Sequence, residues 1–237
     1  MMEKNTCKAT NSLKNGKNSP KKRDLLMFKK ESGLLYLFAM KPWQSYTESE
    51  LQSLYGTKSK SYVELFLKKY VKEGIVKTEH IGKITTYSLN LGSIRARIYA
   101  GVVLEFAAWS KTYIPYKDVQ ALLDKMPYSN YISLITGSYA KGMQNDKSDI
   151  DMVIIVDDSC EPKKVRAELK LQAELNIPLI HLYVFRNSEF IEMLKNKEIN
   201  YGKEIAKNCL IITQGQIYMK LVDEAIKNGF NGKALYS

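Results

Sequence analysis

Cysteine is scarce in this sequence: Cys7, Cys160 and Cys209 are the only three. They are odd in number and far apart, which excludes a disulfide framework and any zinc-ligand spacing, and a reducing, cytoplasmic setting is the expectation. Also missing is any run of about 18 apolar residues, so no transmembrane helix and no membrane partner are expected. The N-terminus is charged without an apolar stretch behind it, which excludes a secretory signal. No internal repeat occurs. What is present suits folded domains. The chain has 237 residues, 45% hydrophobic and 11% aromatic, enough for one large domain or two small ones with real cores.

The net charge is +11, and it is unevenly spread. Residues 1–30 hold nine Lys and Arg against Glu3 and Asp24, a net of +7. The other 207 residues therefore carry only +4. Residues 1–27 are rich in Lys, Asn and Ser and lack periodicity, so they read as a basic disordered tail, with room for a short helix around 23–30. Such a tail either neutralises nucleic-acid phosphates or is simply solvated.

Residues 28–91 read as three short helices followed by a hairpin. Leu34, Leu35, Leu37 and Phe38 form an apolar helical face. Thr47 and Glu50 make a capping box that opens a short helix ending at Gly56. Ser59 or Ser61 opens a longer one carrying Val63, Phe66, Leu67 and Tyr70, with Gly74 just past its end. The period then changes to that of two strands, 75–81 and 84–89, joined at Gly82-Lys83. This order resembles a winged helix-turn-helix. The resemblance implies nucleic-acid contacts by Lys58, Lys60, Lys68 and Lys69 on or before the recognition helix and by Lys83 on the wing. The segment 31–91 nevertheless nets only +2, and winged helices also bind proteins.

Residues 92–129 read as a helical connector. Its first helix spans 93–108, with Ile94, Ile98, Val102, Val103 and Phe106 expected inward. A second helix runs from about 116 to 125. Beyond it, in residues 130–237, strands at 131–136, 152–156, 179–185 and 209–213 alternate with helices at 162–175, 188–196 and 216–227. The fold class is thus α/β (α+β): a winged helix-turn-helix followed by a small mixed-sheet domain.

The chemistry is concentrated in 134–156, LITGSYAKGMQNDKSDIDMVIIV. A strand delivers Gly137 and Ser138 to a helix start, where free N–H groups face a polyphosphate. Asp149 and Asp151 are two apart, so in a strand they project from one face. Two carboxylates side by side repel, and a divalent cation relieves that repulsion. Gly137, Ser138, Ala140, Lys141, Gly142, Ser148, Asp149 and Asp151 match the signature G-S-x-A-[RK]-G-x5-S-D-x-D. The segment resembles nucleotidyltransferases of the DNA polymerase beta superfamily, of the minimal type, over about residues 130–215. The resemblance implies ATP or another NTP as substrate, Mg²⁺ or Mn²⁺ held by Asp149 and Asp151, and nucleotide contacts by Gly137, Ser138, Lys141 and Ser148. Lys141 stands where arginine is commoner and is equally readable as support for the loop.

One departure stands out. The family adds a third carboxylate on a neighbouring strand, yet no Asp or Glu lies between Glu174 and Glu189. His181 is the polar residue in the middle of that strand. Alternation puts Leu179, His181 and Tyr183 on one face and Ile180, Leu182 and Val184 on the other, so His181 is expected to point at the two aspartates. The catalytic candidates are therefore Asp149, Asp151 and His181. Two readings follow: Mg-dependent transfer of a nucleotidyl group, AMP from ATP, to an unspecified acceptor hydroxyl, or a DNA-binding regulator whose nucleotidyltransferase domain only binds nucleotide or a partner. A second copy of the chain, as a homodimer, is among the candidate partners.

Overall fold

The computed structural model describes residues 27–235, with side chains from Gly33 onward. The expected basic tail, residues 1–26 above all, lies outside them. The first helix is α1 (Met27–Met40), and it runs through Gly33. After it come β1 (Ser45–Thr47), α2 (Glu48–Tyr55), α3 (Lys60–Lys72), β2 (Val76–Ile81) and β3 (Ile84–Leu89). The capping box is formed: the Thr47 hydroxyl accepts from the Glu50 amide, and the Glu50 carboxylate accepts from the Thr47 amide at 2.7 Å. Gly56 closes α2 at φ +70, a left-handed conformation that favours glycine. β1 pairs with β3 through Tyr46 and Tyr87, giving a three-stranded antiparallel sheet in the order β1–β3–β2. β1 is only three residues long, too short to show strand alternation in the sequence.

The chain continues with α4 (Ile94–Trp109), α5 (Tyr116–Leu123), β4 (Tyr131–Thr136), α6 (Gly137–Lys141), β5 (Ile150–Val156) and α7 (Pro162–Leu175). It ends with β6 (Ile180–Arg186), α8 (Asn187–Lys195), α9 (Tyr201–Lys207), β7 (Leu210–Thr213), α10 (Gly215–Lys227) and a 3₁₀ turn, Lys233–Leu235. Four strands form a mixed sheet in the order β6–β5–β4–β7. β5 runs parallel to β6 and antiparallel to β4, and β7 is antiparallel to β4. One face, with Ile135, Met152, Ile154, Ile180 and Val184, shares a core with Val119 and Leu122 of α5 and Val165 and Leu169 of α7. The opposite face, with Leu134, Val153 and Ile155, joins a core that extends through α8 and α10 to α4 and the N-terminal helices. Among the described residues no helix is long and apolar enough to cross a membrane.

The inward face of α4 differs from expectation. Ile94, Ile98, Val102 and Phe106 are each at least 40% exposed, and of the residues expected inward Val103 alone is buried. The buried face is instead Ala96, Ala100, Gly101, Val103, Leu104 and Ala108. The reason is a close crossing. Gly101 packs on the start of α10, so that a Cβ on Gly101 would overlap Gln216 and one on Gly215 would overlap Gly101. Small residues let the backbones approach, and the large ones are pushed to the outer side. Gly101→Val should therefore lower stability by about 1–3 kcal/mol, the usual cost of overpacking. Urea unfolding with an unchanged midpoint would contradict this.

Candidate active site

The site forms where β4 ends. Gly137 opens α6 at φ +66, and a Cβ there would overlap the Asp151 carboxylate. Glycine at this position thus does two things: it takes the left-handed turn, and it makes room for the aspartate. No side chain caps the first turn of α6, because the Thr136 hydroxyl is bonded to the Tyr201 hydroxyl at 3.0 Å. The amides of Gly137 and Ser138 accordingly lie at an uncapped helix start. Gly142 ends α6 at φ +66, its amide donating to Ser138 and Tyr139 carbonyls.

Asp151 is the second residue of β5, and Asp149 lies just before that strand. In the parallel register Asp151 stands opposite His181. The His181 ring bridges the two carboxylates, with Nε2 3.6 Å from Asp149 Oδ2 and Nδ1 3.7 Å from Asp151 Oδ1. All three side chains stay reachable from solvent: His181 is 49% exposed, Asp149 42% and Asp151 29%. The aliphatic residues Ile180, Leu182 and Val184 turn the other way, against α7.

A cavity of about 230 Å³ opens beside Asp151, lined by Thr136, Gly137, Lys141, Tyr183, Tyr201, Glu204 and Asn208 as well. The Tyr183 and Tyr201 rings lie 4.7 Å apart in its wall. Burial pushes the Tyr201 hydroxyl up to about 12, with Tyr183 and Asp151 adding to the rise against the bond to Thr136. Tyr201 is therefore a neutral hydrogen-bonding group at ordinary pH. Of the remaining residues expected to bind nucleotide, Lys141 is an exposed member of this cavity wall. Ser148 sits in the loop before β5, where its Oγ accepts from the Asn145 amide at 2.9 Å. Sequence reasoning had passed over Thr136, Glu204 and Asn208.

Residues 121–224 match the family model of the nucleotidyltransferase domain. The matched stretch runs from α5 into α10 and contains all four strands of the mixed sheet, with Gly137, Asp149, Asp151 and His181 inside it. No curated protein and no solved structure matches the chain. Nucleotidyl transfer from an NTP is the general activity of such a domain.

Among the described residues no group of three or more His, Cys, Asp or Glu side chains is placed to hold a metal. Mg²⁺ needs less than that, since it keeps several waters and takes one or two carboxylates together with substrate phosphates. Asp149 and Asp151, partly exposed and directed at one imidazole, fit this demand.

Lys60, Lys68 and Lys69 lie on α3, Lys58 just before it, and Lys83 at the turn between β2 and β3. Lys68 is paired with Glu64 at 2.6 Å on the same helix. Lys58 uses its carbonyl to accept from the Gln52 side chain.

Proposed function

We propose that this protein transfers a nucleotidyl group, AMP from ATP in the simplest case, to an acceptor hydroxyl with release of pyrophosphate. The observation that carries this reading is the convergence of Asp149, Asp151 and His181 beside Gly137, at an uncapped helix start. In this reading the Gly137 and Ser138 amides and Lys141 hold phosphate oxygens, and Asp149 and Asp151 hold Mg²⁺ or Mn²⁺. A bound ion supplies positive charge against the phosphates during displacement at phosphorus. His181 accepts the proton of the attacking hydroxyl, a role suited to a neutral imidazole. The decisive experiment is transfer of label from α-labelled NTP into cell-extract components, comparing wild type with Asp151→Ala. Equal labelling by both proteins would end this reading.

A second reading rests on His181 itself. With an imidazole where the family places a carboxylate, the domain binds nucleotide without turnover and reports it to a partner. The tie between the two readings is broken by the same assay, since a sensor leaves no label.

We divide the chain into a tail (1–27), a winged helix-turn-helix (28–91), a helical connector (92–129) and the nucleotidyltransferase domain (130–237). The element order helix, strand, helix, helix, hairpin supports the winged-helix reading. With Lys58, Lys60, Lys68, Lys69 and Lys83, the winged helix and tail are taken to bind nucleic acid. Residues 1–26 contain seven Lys and Arg. Removing them should weaken duplex binding and reduce the slope of log K against log salt by as much as about 6. Identical slopes for the full and shortened chains would contradict a role for the tail.

A further inference from the structure

Among the described residues β6 is an edge of the mixed sheet. Its backbone directions follow from two hydrogen bonds. The Ile150 amide of β5 donates to the Leu179 carbonyl, so the odd-numbered residues of this stretch turn toward β5. From the other side Arg166 donates to the Val184 carbonyl at 3.2 Å, so the backbone N–H and C=O groups of Ile180, Leu182 and Val184 point away from β5, while their side chains pack on α7. Arg166 guards the far end of that edge. Nearer the site, Ile180 and Leu182 open onto a cavity of about 570 Å³, lined also by Lys170, Ala173, Glu174, Leu179 and Tyr183. His181 lines this cavity too, while its ring touches both aspartates. Tyr183 lines both openings, and the neighbouring Asp151 and His181 line one each. The smaller one reaches Asp151 from the side of Gly137, Tyr183 and Tyr201, and the larger one reaches His181 from the sheet edge.

We propose that the outer edge of β6 is the acceptor subsite, and that the acceptor is a protein. This rests on the nucleotidyl-transfer reading above. An extended segment adds to β6 through the outward N–H and C=O groups of Ile180 and Leu182, the way peptides extend an exposed sheet edge. A strand added there stands about 5 Å from β6, so a Ser, Thr or Tyr opposite His181 brings its hydroxyl to the imidazole. Charge selects further. Arg166 and Lys170 stand on the rim against one carboxylate, Glu174, which is 3.8 Å from Lys170. An Asp or Glu near the acceptor hydroxyl suits that rim. A nucleic-acid acceptor would call instead for a basic groove with aromatic stacking platforms. This wall combines the edge of β6 with Ala173 of α7, Leu179 and Leu182, and Tyr183 is the one phenol ring beside the His181 imidazole.

In the transfer step the hydroxyl oxygen forms a bond to the α-phosphorus of the NTP. The bond from that phosphorus to the bridging oxygen breaks, and pyrophosphate leaves with the electron pair. The hydroxyl proton passes to His181 and from there to water.

The test uses the full chain without nucleotide and follows the fluorescence anisotropy of labelled peptides. The probe is Thr-Asp-Val-Tyr-Val-Asp-Thr, compared with the same peptide methylated on alternate backbone amides and with a version carrying Lys for both Asp. Losing one or two backbone hydrogen bonds, each worth about 1 kcal/mol, should weaken the methylated peptide about tenfold. The Lys version should also bind more weakly. Leu182→Pro, which removes an outward amide, should weaken the parent peptide similarly while NTP binding stays unchanged. Equal binding of methylated and unmodified peptides, or no peptide binding at all, overturns the subsite. So does label from α-labelled ATP appearing on a single-stranded RNA end rather than on the peptide tyrosine. Loss of NTP binding in Asp149→Asn with Asp151→Asn tests the donor site separately, so failure of the acceptor proposal and failure of the transfer reading are distinguishable.

Discussion

Gly137→Ala should cost the protein both stability and transfer. A left-handed φ of +66 at an alanine costs about 1–2 kcal/mol by itself. The added methyl group also falls on the Asp151 carboxylate, which must then move by an ångström or more. Displacing a catalytic group by that much lowers rates by about 100-fold. The expected result is a modest drop in melting temperature with a loss of labelled-NTP transfer far larger than the drop explains. Gly142 offers the comparison. It has the same φ of +66, but the nearest atom to a Cβ there is the Tyr113 hydroxyl at 3.5 Å, an ordinary contact. Gly142→Ala should therefore lose similar stability and keep most of its activity. Similar losses of transfer in both variants would show that Gly137 matters only for the turn.

The second large effect is expected at His181. His181→Ala removes the group between the two carboxylates and should lower transfer by about 10²–10⁴-fold, the range for a lost general base. His181→Asp should behave differently. It places three carboxylates where two now share an imidazole, and their repulsion destabilises the chain unless a cation is present. Its melting temperature should be below that of wild type without Mg²⁺ and should rise with Mg²⁺ more steeply. Transfer by His181→Asp should match or exceed wild type, since a hard oxygen suits Mg²⁺ better than nitrogen does. A melting temperature in His181→Asp that ignores Mg²⁺ would argue that the aspartates hold no ion.

Local signals made much of this molecule legible. The strand at 131–136 and the helix at 162–175 have the boundaries their patterns indicate, and strand alternation alone gives the facing of His181. What escaped was non-local. β1 is three residues long, and pairing with β3 is what makes it a strand. The exposed side of α4 is set by the crossing of Gly101 and Gly215, residues more than a hundred positions apart. α9 has no counterpart in the sequence analysis although it carries a local signal, for the Asn200 side chain accepts from the Lys203 amide as an N-cap. Recognising that cap would have put Tyr201, Glu204 and Asn208 on one helix or at its end, beside the site.

Asp149 and Asp151 are proposed to form a nucleotide–metal site with Gly137 and Ser138. Calorimetric titration of ATP into the full chain, with and without Mg²⁺, tests it most directly. Wild type should bind ATP more tightly with Mg²⁺, and Asp149→Asn combined with Asp151→Asn should abolish the difference. Mg²⁺-independent ATP binding that survives the double substitution would contradict the assignment.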